Sequence, residues 1–366
     1  MRVIITAGGT GGHIYPALAI LNKIKEKEPN SQFLYIGTTD RMEAKIIPDK
    51  HIPYLGIPMK GLDRKHPLKN IQVFKMYRNA IKTAKREIEA FKPDIVIGCG
   101  GYITAPVIYA AKKLGYATMI HEQNSISGMS NKFLSRYADK ILVSFKETMD
   151  AFPKHKVVYT GNPRSEEIAK IEPLAKRELG LSATKPLVII VMGSLGSMTI
   201  TNKLLEMVPK FANKPYEVLL ISGEKYYQNY QTIRVPSNVK ILPFFADLIR
   251  IMKQATLLVS RSGASTIAEI TAIGLPTIMV PSPYVTHNHQ MKNAIALEKD
   301  GACKIIPEEQ FDGDTLLPCI DTLLADKEAL HKMKEAMLQR SITDSATRIY
   351  EEAKKLVRGN TKCKNF

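Results

Sequence analysis

The stretch Val3-Ile4-Ile5-Thr6-Ala7-Gly8-Gly9-Thr10-Gly11-Gly12-His13 decides the fold class of this 366-residue chain. Its apolar half predicts a buried strand over Val3–Thr6, and the spacing of apolar residues after it predicts a helix over Tyr15–Lys27. The glycines between strand and helix let the backbone approach a ligand closely, and the amides of the first helical turn can hold an anion. His13 at the start of the helix is a candidate general base.

The glycine-rich turn has a structural interpretation as well as a catalytic one. It lacks the Lys-Ser/Thr of a P-loop, and Ile14 stands where a dinucleotide-binding fingerprint requires glycine. Glycine-rich segments also occur simply as tight turns, and a histidine at a helix start can bond to the backbone without a catalytic role. Both interpretations fit these residues alone.

Alternating strands and helices continue along the whole chain and predict its architecture. Further strands are predicted at Phe33–Ile36, Ile95–Ile97, Thr118–Ile120, Ile141–Ser144 and Val157–Tyr159, and then at Leu187–Met192, Val218–Ile221, Leu257–Ser260 and Thr277–Val280. This pattern is typical of parallel sheets covered by helices, and its restart near Asn162–Pro173 predicts two doubly wound α/β domains. A polar, basic helix is predicted over Ser345–Arg358.

Composition excludes several classes of protein. The chain is 45% hydrophobic and 24% charged, which is typical of a globular protein with a full core. Its four cysteines are far apart and form no CxxC pair, which argues against structural zinc or disulfides and favours a reducing, cytoplasmic compartment. The first residues are too short an apolar run for a signal peptide, and no run of about 18 apolar residues predicts a transmembrane helix.

The net charge of +17 is concentrated in the first part of the chain. Residues 1–164 contain 26 Lys and Arg against 13 Asp and Glu, whereas residues 165–366 contain 26 against 22. Such an asymmetry predicts an anionic partner, which could be nucleic acid, a membrane surface or a phosphorylated substrate. The alternative is that the charge serves solubility in a lysine-rich proteome.

Two more candidate site segments follow predicted strands in the first half. Gly98-Cys99-Gly100-Gly101-Tyr102 comes after Ile95–Ile97, and His121-Glu122-Gln123-Asn124 comes after Thr118–Ile120. Ligands of doubly wound sheets bind where strands end and loops begin. Four polar side chains at a strand end indicate a site rather than a core.

In the second half, Met192–Ser197 offers small side chains and hydroxyls for a phosphate. Ser262 or Ser265 is the predicted cap of a following helix, whose free amides suit a diphosphate. Glu269, one turn further, can accept hydrogen bonds from both hydroxyls of a ribose, or it can simply favour the helix dipole.

The polar loop Pro281–Gln290 follows another predicted strand. His287, His289 and Gln290 in this loop could bind sugar hydroxyls. The two histidines do not predict a metal site, because no carboxylate or cysteine ligand lies close to them in sequence.

Six motifs in order identify a family resemblance. They are GGTGGHIYPALA (8–19), GGY (100–102), HEQN (121–124), GNPR (161–164), RSGASTIAE (261–269) and NHQMKNA (288–294). Together they resemble the MurG-type N-acetylglucosaminyltransferases of peptidoglycan synthesis, a GT-B glycosyltransferase family. The resemblance implies an α/β GT-B fold of two Rossmann-like, doubly wound parallel-sheet domains facing a cleft. It implies an acceptor- and membrane-facing domain over 1–163, a UDP-sugar-binding domain over 164–344, and a helix over 345–366 that packs back on the first domain.

The resemblance also implies roles for individual residues. His13 would be the catalytic base, Phe245 would hold uracil through its backbone, and Glu269 would hold the ribose. The residues implied to bind UDP-N-acetylglucosamine are Thr10, Gly11, Gly12, Asn124, Arg164, Ser194, Phe245, Ala264, Ser265, Thr266, Glu269 and Gln290. Gly100, Gly101 and Tyr102 are the implied acceptor-binding residues, and no metal or cofactor is implied. The chain departs from the family at Ala7 in the first loop and at Met192 and Leu195 in the phosphate loop, where Leu195 has no side-chain hydrogen-bond donor.

The implied reaction is inverting transfer of N-acetylglucosamine from UDP-N-acetylglucosamine to the C4 hydroxyl of undecaprenyl-pyrophosphoryl-MurNAc-pentapeptide. This converts lipid I to lipid II, with consequences for cell wall, cell shape and cell division. Between Lys60 and Lys92, ten Lys or Arg stand against three acids, interleaved with apolar residues, namely Leu62, Leu68, Ile71, Phe74, Met76 and Tyr77. This segment predicts peripheral docking on an anionic membrane surface at the cytoplasmic face, with no nucleic acid partner. It can also be read as a solvated helix, Val73–Phe91, whose apolar residues face the core.

Other functions share parts of this pattern. A UDP-N-acetylglucosamine 2-epimerase, a related GT-B transferase with another lipid acceptor, and a membrane-surface scaffold that only binds nucleotide are the alternatives. An epimerase would consume the sugar nucleotide without an acceptor, and a scaffold would bind UDP without turnover.

Overall fold

The computed structural model describes residues 1–61, 70–192 and 198–363. The chain divides into two compact units: unit 1 is Met1–Glu166 with Asp344–Phe366, and unit 2 is Glu167–Thr343. The first segment of unit 1 ends at Glu166, three residues after the expected boundary at residue 163, so Arg164 belongs to unit 1.

Unit 1 contains a seven-stranded parallel sheet with the order β3-β2-β1-β4-β5-β6-β7. Its strands are β1 (Arg2–Thr6), β2 (Gln32–Thr38), β3 (Tyr54–Ile57), β4 (Ile95–Gly98), β5 (Ala117–Glu122), β6 (Lys140–Val143) and β7 (Val157–Tyr159). Its helices are α1 (Gly11–Lys27), α2 (Glu43–Asp49), α3 (Asn70–Phe91), α4 (Thr104–Lys113), α5 (Met129–Leu134) and α6 (Arg164–Ala169), the last of which continues into unit 2.

Unit 2 contains a six-stranded parallel sheet with the order β10-β9-β8-β11-β12-β13. Its strands are β8 (Leu187–Val191), β9 (Glu217–Ile221), β10 (Val239–Leu242), β11 (Leu257–Ser260), β12 (Thr277–Met279) and β13 (Cys303–Ile305). Its helices are α7 (Met198–Met207), α8 (Leu248–Met252), α9 (Ala264–Ile273), α10 (His289–Glu298), α11 (Gly313–Ala325) and α12 (Lys327–Gln339). The last helix of the chain, α13 (Ser345–Cys363), belongs to unit 1.

Strand β1 shows why the unit 1 sheet is covered on both faces. Alternate residues of a strand point to opposite faces, and all three central residues of β1 are fully buried. Ile4 packs in the core formed with α3 and α4, whereas Val3 and Ile5 pack in the core formed with α1 and α13. A continuous apolar run is therefore what a strand buried on both faces requires.

The predicted class of two parallel-sheet α/β domains is confirmed, and every predicted strand is present. Sequence analysis missed β3, β10 and β13, which are edge strands of their sheets. Edge strands are partly solvated, so their residues do not form a fully apolar run; exposed Lys304 at the centre of β13 is an example.

Helix α13 is joined to α1 through the buried carboxylate of Glu166, which contacts both helices, and through a hydrogen bond from Tyr350. The ammonium of Lys23 on α1 lies 2.8 Å from Glu166 Oε1, and both side chains are buried. Glu166 also accepts hydrogen bonds from Thr347 N at 2.8 Å and Thr347 Oγ1 at 2.9 Å. Further along, Tyr350 Oη donates to Glu28 Oε1 at 2.9 Å. These bonds hold the returning chain at the place where it re-enters unit 1.

Replacing Glu166 with Ala should lower the free energy of unfolding by about 1–3 kcal/mol, because the buried Lys23 ammonium then keeps only one of its two carboxylate partners in the described residues, Glu26. Burial raises the pKa of Glu166, but hydrogen bonds from Lys23 and Thr347 outweigh burial and leave this pKa below its ordinary value. The stabilisation is therefore complete above the ordinary pKa and is lost as the pH falls through the lowered one. Urea unfolding of the full chain at several pH values measures both effects.

Lys332→Ala is the matched control, because it removes an ion pair with Glu328 in which both side chains are exposed. Its effect should stay below about 1 kcal/mol. Equal losses from the two variants, or a Glu166→Ala loss that does not depend on pH, would contradict the assignment.

Candidate active site

The loops after β1, β4, β5 and β7 lie along one edge of the unit 1 sheet, because all of its strands run parallel. This edge carries every candidate residue that the sequence predicted for unit 1. They are Thr10, Gly11, Gly12, His13, Gly100, Gly101, Tyr102, Asn124 and Arg164.

The imidazole of His13 lies in the first turn of α1 and is bonded to the loop before it. His13 Nδ1 is 3.0 Å from Gly8 O, and since a carbonyl can only accept, Nδ1 carries the proton. In the neutral ring Nε2 is then the basic nitrogen. The backbone bond that the sequence offered as a structural alternative thus sets the tautomer that a general base needs.

The start of α1 presents backbone N–H groups at this edge. Thr10 is the N-cap residue in extended backbone, and its carbonyl accepts from His13 N at 3.0 Å and Ile14 N at 3.2 Å. The N–H groups of Gly11 and Gly12 come before the first intrahelical hydrogen bond, at the positive end of the helix dipole. This arrangement favours an anion beside the turn.

Glycine at positions 100 and 101 allows the loop after β4 to pack on the loop after β1. Gly8 N donates to Gly100 O at 3.2 Å. A Cβ on Gly100 would lie 2.6 Å from His13 Cδ2 and 2.9 Å from His13 Nε2, and a Cβ on Gly101 would overlap Gly8 O. Both glycines have positive φ, 103° and 86°. The His13 ring therefore rests directly on the backbone of Gly100.

Glu43 is a fully buried support of the glycine-rich turn, and sequence analysis missed it. Its Oε2 accepts from Gly9 N at 3.0 Å, and its Oε1 accepts from Thr38 N at 3.0 Å and from Thr38 Oγ1 at 2.7 Å. A Cβ on Gly8 would lie 2.5 Å from Glu43 Oε1. A glutamate at a helix start carries no distinctive sequence signal, and only the fold brings this one beneath the turn.

The HEQN segment divides between a buried support and a surface residue. Glu122 accepts hydrogen bonds from Asn124 N at 3.1 Å, Gly128 N at 2.8 Å and Asn131 Nδ2 at 2.9 Å. Burial lowers the pKa of His121 to about 4, so its ring is neutral at physiological pH. Asn124 is half-buried, and it alone of the four lies partly at the surface.

Arg164 and Tyr102 contact other residues of the same edge. The Arg164 guanidinium lies over the ring of Tyr15, 5.3 Å from its centroid, beside the first turn of α1. Tyr102 Oη accepts from Arg41 Nε at 3.1 Å, which places a second cation beside the glycine loop.

In unit 2, the prediction that Ser262 or Ser265 caps α9 is wrong. Gly263 is the N-cap residue and no side chain caps the helix. Ser262 lies one residue too early, and its Oγ donates to Gln290 O at 2.8 Å. Ser265 lies inside the first turn, and its Oγ is buried without a hydrogen-bond partner in the described part of the chain.

The starts of α9 and α10 are bonded to each other at the carboxyl edge of the unit 2 sheet. Asn293 Nδ2 donates to Ser262 O at 3.1 Å, and Gln290 Oε1 accepts from Ser282 N at 2.8 Å. A buried ion pair supports this region: Arg261 Nη2 lies 2.6 Å from Glu308 Oε2, and Arg261 Nη1 donates to Val280 O at 2.9 Å.

The remaining candidates of unit 2 occupy this edge as well. Ala264, Ser265 and Thr266 form the first turn of α9, whose N–H groups lie at the helix N-terminus, and half-buried Glu269 follows one turn later. Phe245 is half-buried in the loop after β10. Ser194 and Leu195 lie outside the described residues.

The described residues contain no cluster of three or more His, Cys, Asp or Glu side chains that could hold a metal ion. His287 and Asn288 adopt left-handed backbone with φ of 57° and 50°, which is uncommon for residues with a side chain. Within residues 1–61, 70–192 and 198–363, no helix has the length and apolar character needed to span a bilayer.

Both halves of the chain match one glycosyltransferase family. Residues 3–143 match the glycosyltransferase family 28 N-terminal domain, and residues 187–349 match the family 28 C-terminal domain. A Bacillus cereus protein named UDP-N-acetylglucosamine--N-acetylmuramyl-(pentapeptide) pyrophosphoryl-undecaprenol N-acetylglucosamine transferase 1 is 45% identical over 363 residues. The match covers 98% of this chain and 100% of that protein.

Solved structures share the fold. Acinetobacter baumannii MurG is 28% identical with a TM-score of 0.78, covering 97% of this chain and 99% of that one, which confirms the GT-B class. A Listeria monocytogenes protein described as a UDP-N-acetylglucosamine 2-epimerase is 16% identical with a TM-score of 0.69, covering 95% and 94%. The second likeness shows a common fold alone.

Replacing Gly100 with Ala should displace the His13 ring and lower the free energy of unfolding by about 1–3 kcal/mol more than Gly115→Ala does. Gly115 is a matched control, because it also has positive φ, 78°, but no atom lies within 4 Å of the position that a Cβ would occupy there. The difference between the two variants therefore isolates the contact with His13 from the backbone strain. Chemical denaturation measures the energies, and a crystal structure of the variant locates the ring.

Adding His13→Ala to Gly100→Ala should remove most of the destabilisation that exceeds that of Gly115→Ala, because the imidazole atoms that the new methyl group meets are then absent. An excess that persists in the double variant would contradict the packing of His13 on Gly100.

Proposed function

The chain belongs to glycosyltransferase family 28, and on this basis we propose which of its residues carry out the reaction. The protein is a UDP-N-acetylglucosamine-dependent glycosyltransferase that converts lipid I to lipid II in peptidoglycan synthesis. The observation that carries this conclusion is 45% identity over 363 residues with a transferase named for that reaction. The epimerase alternative is not favoured, because its likeness is limited to the fold.

Unit 2 holds the sugar nucleotide in this proposal. The N–H groups of Ala264, Ser265 and Thr266 bind the diphosphate at the start of α9, where the helix dipole favours negative charge. Glu269, one turn further along the same helix, accepts hydrogen bonds from the two ribose hydroxyls. The backbone of Phe245 contacts the uracil, and Gln290 binds the sugar.

Unit 1 holds the acceptor and supplies the base. His13 Nε2 takes the proton of the acceptor 4-hydroxyl, since the bond from Nδ1 to Gly8 O leaves Nε2 as the basic nitrogen. The loop at Gly100, Gly101 and Tyr102, which packs on His13, contacts the acceptor sugar. Thr10, Gly11 and Gly12 face the donor diphosphate from the start of α1, and Asn124 contacts the donor sugar.

The transfer is a single inverting displacement. The acceptor oxygen forms a bond to C1 of N-acetylglucosamine on the face opposite the nucleotide, and its proton passes to His13 Nε2. The bond between C1 and the diphosphate oxygen breaks, and its electron pair leaves with UDP. The Arg164 guanidinium and the helix N-termini stabilise the charge that develops on the leaving group.

Helix α3 supports docking on an anionic membrane surface. Ile71 and Phe74 are each 60% exposed, and they continue along one stripe of the helix into exposed Arg78 and Lys82. The sequence grouped Met76 and Tyr77 with this apolar set, but both pack against the core between α3 and α4. Leu62 and Leu68 lie outside the described residues.

A second group of aromatic residues lies on α4, on α5 and just after α5, in the same unit as α3. Tyr109 and Tyr137 meet edge to face at 5.1 Å between ring centroids, and Phe133 lies 5.4 Å from Tyr137. Cations cover this cluster: Lys113 lies over Tyr109 at 5.7 Å, and Arg136 lies over Phe133 at 5.5 Å. Apolar groups rimmed by Lys and Arg suit the headgroup region of anionic lipids. This surface supports the proposal of a peripheral position at the cytoplasmic face of the membrane.

The function predicts transfer of radiolabelled sugar from UDP-N-acetylglucosamine to a short-chain lipid-linked muramoyl-pentapeptide. His13→Ala should lower kcat by about 10²–10⁴-fold, because the acceptor proton then lacks its base. Glu269→Ala should instead raise the KM for UDP-N-acetylglucosamine by about 10–100-fold, the loss expected for hydrogen bonds to a charged group. Steady-state kinetics with each substrate varied in turn separates the two effects.

His331→Ala is the control, because His331 is an exposed residue of α12 far from either candidate edge in sequence. Consumption of UDP-N-acetylglucosamine without acceptor would indicate an epimerase. A His13→Ala rate close to wild type at saturating acceptor would overturn the assignment of the base.

The membrane surface predicts binding to vesicles that contain anionic phospholipid. Ile71→Ser with Phe74→Ser should weaken binding by at least about tenfold, because two apolar side chains no longer leave water. Arg78→Ser with Lys82→Ser should weaken it by about 10–30-fold at low salt, at about 1 kcal/mol for each cation. Co-sedimentation over a series of salt concentrations measures both effects.

Val235→Ser in unit 2 is the matched control for loss of an exposed apolar side chain. Equal binding to zwitterionic vesicles, or no effect of any α3 variant, would contradict docking through this surface.

A further inference from the structure

A buried chain of hydrogen bonds crosses the carboxyl edge of the unit 1 sheet from β4 to β7. Gln123 Nε2 lies 2.7 Å from Cys99 O and 3.1 Å from His121 Nδ1, and His121 Nε2 lies 3.1 Å from Gly161 O. His121 is 0% exposed and Gln123 is 1% exposed. The chain joins the loops after β4, β5 and β7, which are spread over three strand spacings of about 5 Å each.

The partners of the two side chains determine where the protons lie. Cys99 O only accepts, so the atom of Gln123 beside it must be the amide nitrogen, which only donates. The same nitrogen faces His121 Nδ1, which must then be an unprotonated acceptor. His121 Nε2 carries the ring proton and donates it to Gly161 O, and the Ser144 hydroxyl, which can accept, lies 3.4 Å from the same nitrogen. Any other arrangement places two acceptors or two donors against each other.

This orientation of the amide has a cost at its other end. Gln123 Oε1 is buried and has no hydrogen-bond partner in the described part of the chain. An unpartnered buried oxygen costs about 1–3 kcal/mol. The amide nevertheless directs its two N–H groups to Cys99 O and His121 Nδ1, because the flipped amide would set Oε1 against Cys99 O.

Both ends of this chain of hydrogen bonds, called the bridge below, lead to residues that contact the start of α1. Cys99 precedes Gly100, whose backbone supports the His13 ring. Gly161 precedes Asn162, whose Oδ1 accepts from Arg164 N at 3.1 Å. Arg164 in turn covers the ring of Tyr15, two residues after His13. The loops after β4 and β7 therefore reach the first turn of α1 from different strands.

We propose that His121 and Gln123 are positioning residues that act as one unit: a neutral His121, protonated at Nε2, and Gln123 set the spacing between the Gly100 loop and the Arg164 loop around His13. The bond network stands on its own, whereas its effect on turnover rests on the proposed function. Neither side chain contacts a substrate in this proposal.

The consequence for catalysis is a loss of rate rather than of donor affinity. A displacement of about 1 Å in a group that holds reacting atoms costs about 100-fold in rate. His121→Leu and Gln123→Leu should therefore each lower kcat by about 10–100-fold. The KM for UDP-N-acetylglucosamine should stay within about threefold, because most of the proposed ground-state contacts with the nucleotide, at Phe245, Glu269 and the start of α9, lie in unit 2, whereas Arg164 acts on the charge that develops on the leaving group.

Nuclear magnetic resonance of the wild-type protein tests the proton assignment without any activity. With ¹⁵N-labelled histidine, the His121 ring should show a protonated Nε2 and an unprotonated Nδ1 at about pH 7. The His121→Gln spectrum identifies the signal by its absence. A ring protonated at Nδ1, or at both nitrogens, would overturn the bridge.

Kinetics of four variants test whether the residues act together. The double variant His121→Leu/Gln123→Leu should be no more than about threefold slower than the slower single variant, because either change breaks the same chain. His121→Gln keeps a donor near the Nε2 position and should be at least about fivefold faster than His121→Leu. His331→Leu is the matched control and should match wild type, because the His331 side chain is exposed.

Multiplicative losses in the double variant, no rescue by His121→Gln, or a rise in donor KM at unchanged kcat would each overturn the proposal. If a Leu variant does not fold, the proposal is still tested by the tautomer of His121 in the wild-type protein and by the kcat of His121→Gln compared with that of wild type. Absence of transfer by the wild-type protein would defeat the proposed function, whereas a protonated Nε2 would still support the bridge.

Discussion

The candidate site of unit 1 depends on one close approach between two backbones. Gly8 N donates a hydrogen bond to Gly100 O, the His13 ring lies where a side chain at position 100 would stand, and the Gly8 backbone lies where a side chain at position 101 would stand. A Cβ at either position of the second loop would separate the two loops. The packing of the His13 ring and the position of the Gly100–Tyr102 loop therefore depend on the absence of side chains at positions 100 and 101.

Beneath that contact, buried polar groups hold the loops in place. Glu43 accepts three hydrogen bonds under the glycine-rich turn, Glu122 collects the amides around Asn124, and the bridge of His121 and Gln123 joins the loops on either side. Burial makes an incomplete set of such bonds costly, so each group restricts its neighbours strongly. A preorganised edge of this kind suits a reaction that needs one base and a stabilised leaving group.

Charge has two different uses in this chain. Inside unit 1, Lys23 and Glu166 form a buried pair where α13 rejoins the fold. Outside, α3 carries a row of exposed cations behind Ile71 and Phe74. The exposed cations of α3 are part of the basic excess of the first 164 residues. The second apolar pair, Met76 and Tyr77, instead packs between α3 and α4.

Local sequence determined the elements that have a local cause. Buried runs such as Val3–Ile5 form strands because apolar residues on both faces need cover, and glycine marks the turns because positive φ and close contact exclude side chains. The sequence also indicated that His13 lies at the start of the helix after β1 and that Glu269 lies one turn inside the helix after β11. Tertiary structure alone decided the supporting contacts of the candidate site, because most of these contacts join residues that are far apart in the chain. In the folded chain Glu43 lies under Gly9, and Gly263 rather than Ser262 or Ser265 is the N-cap residue of α9. Hydrogen bonds that no spacing in the sequence encodes join Cys99, His121 and Gly161.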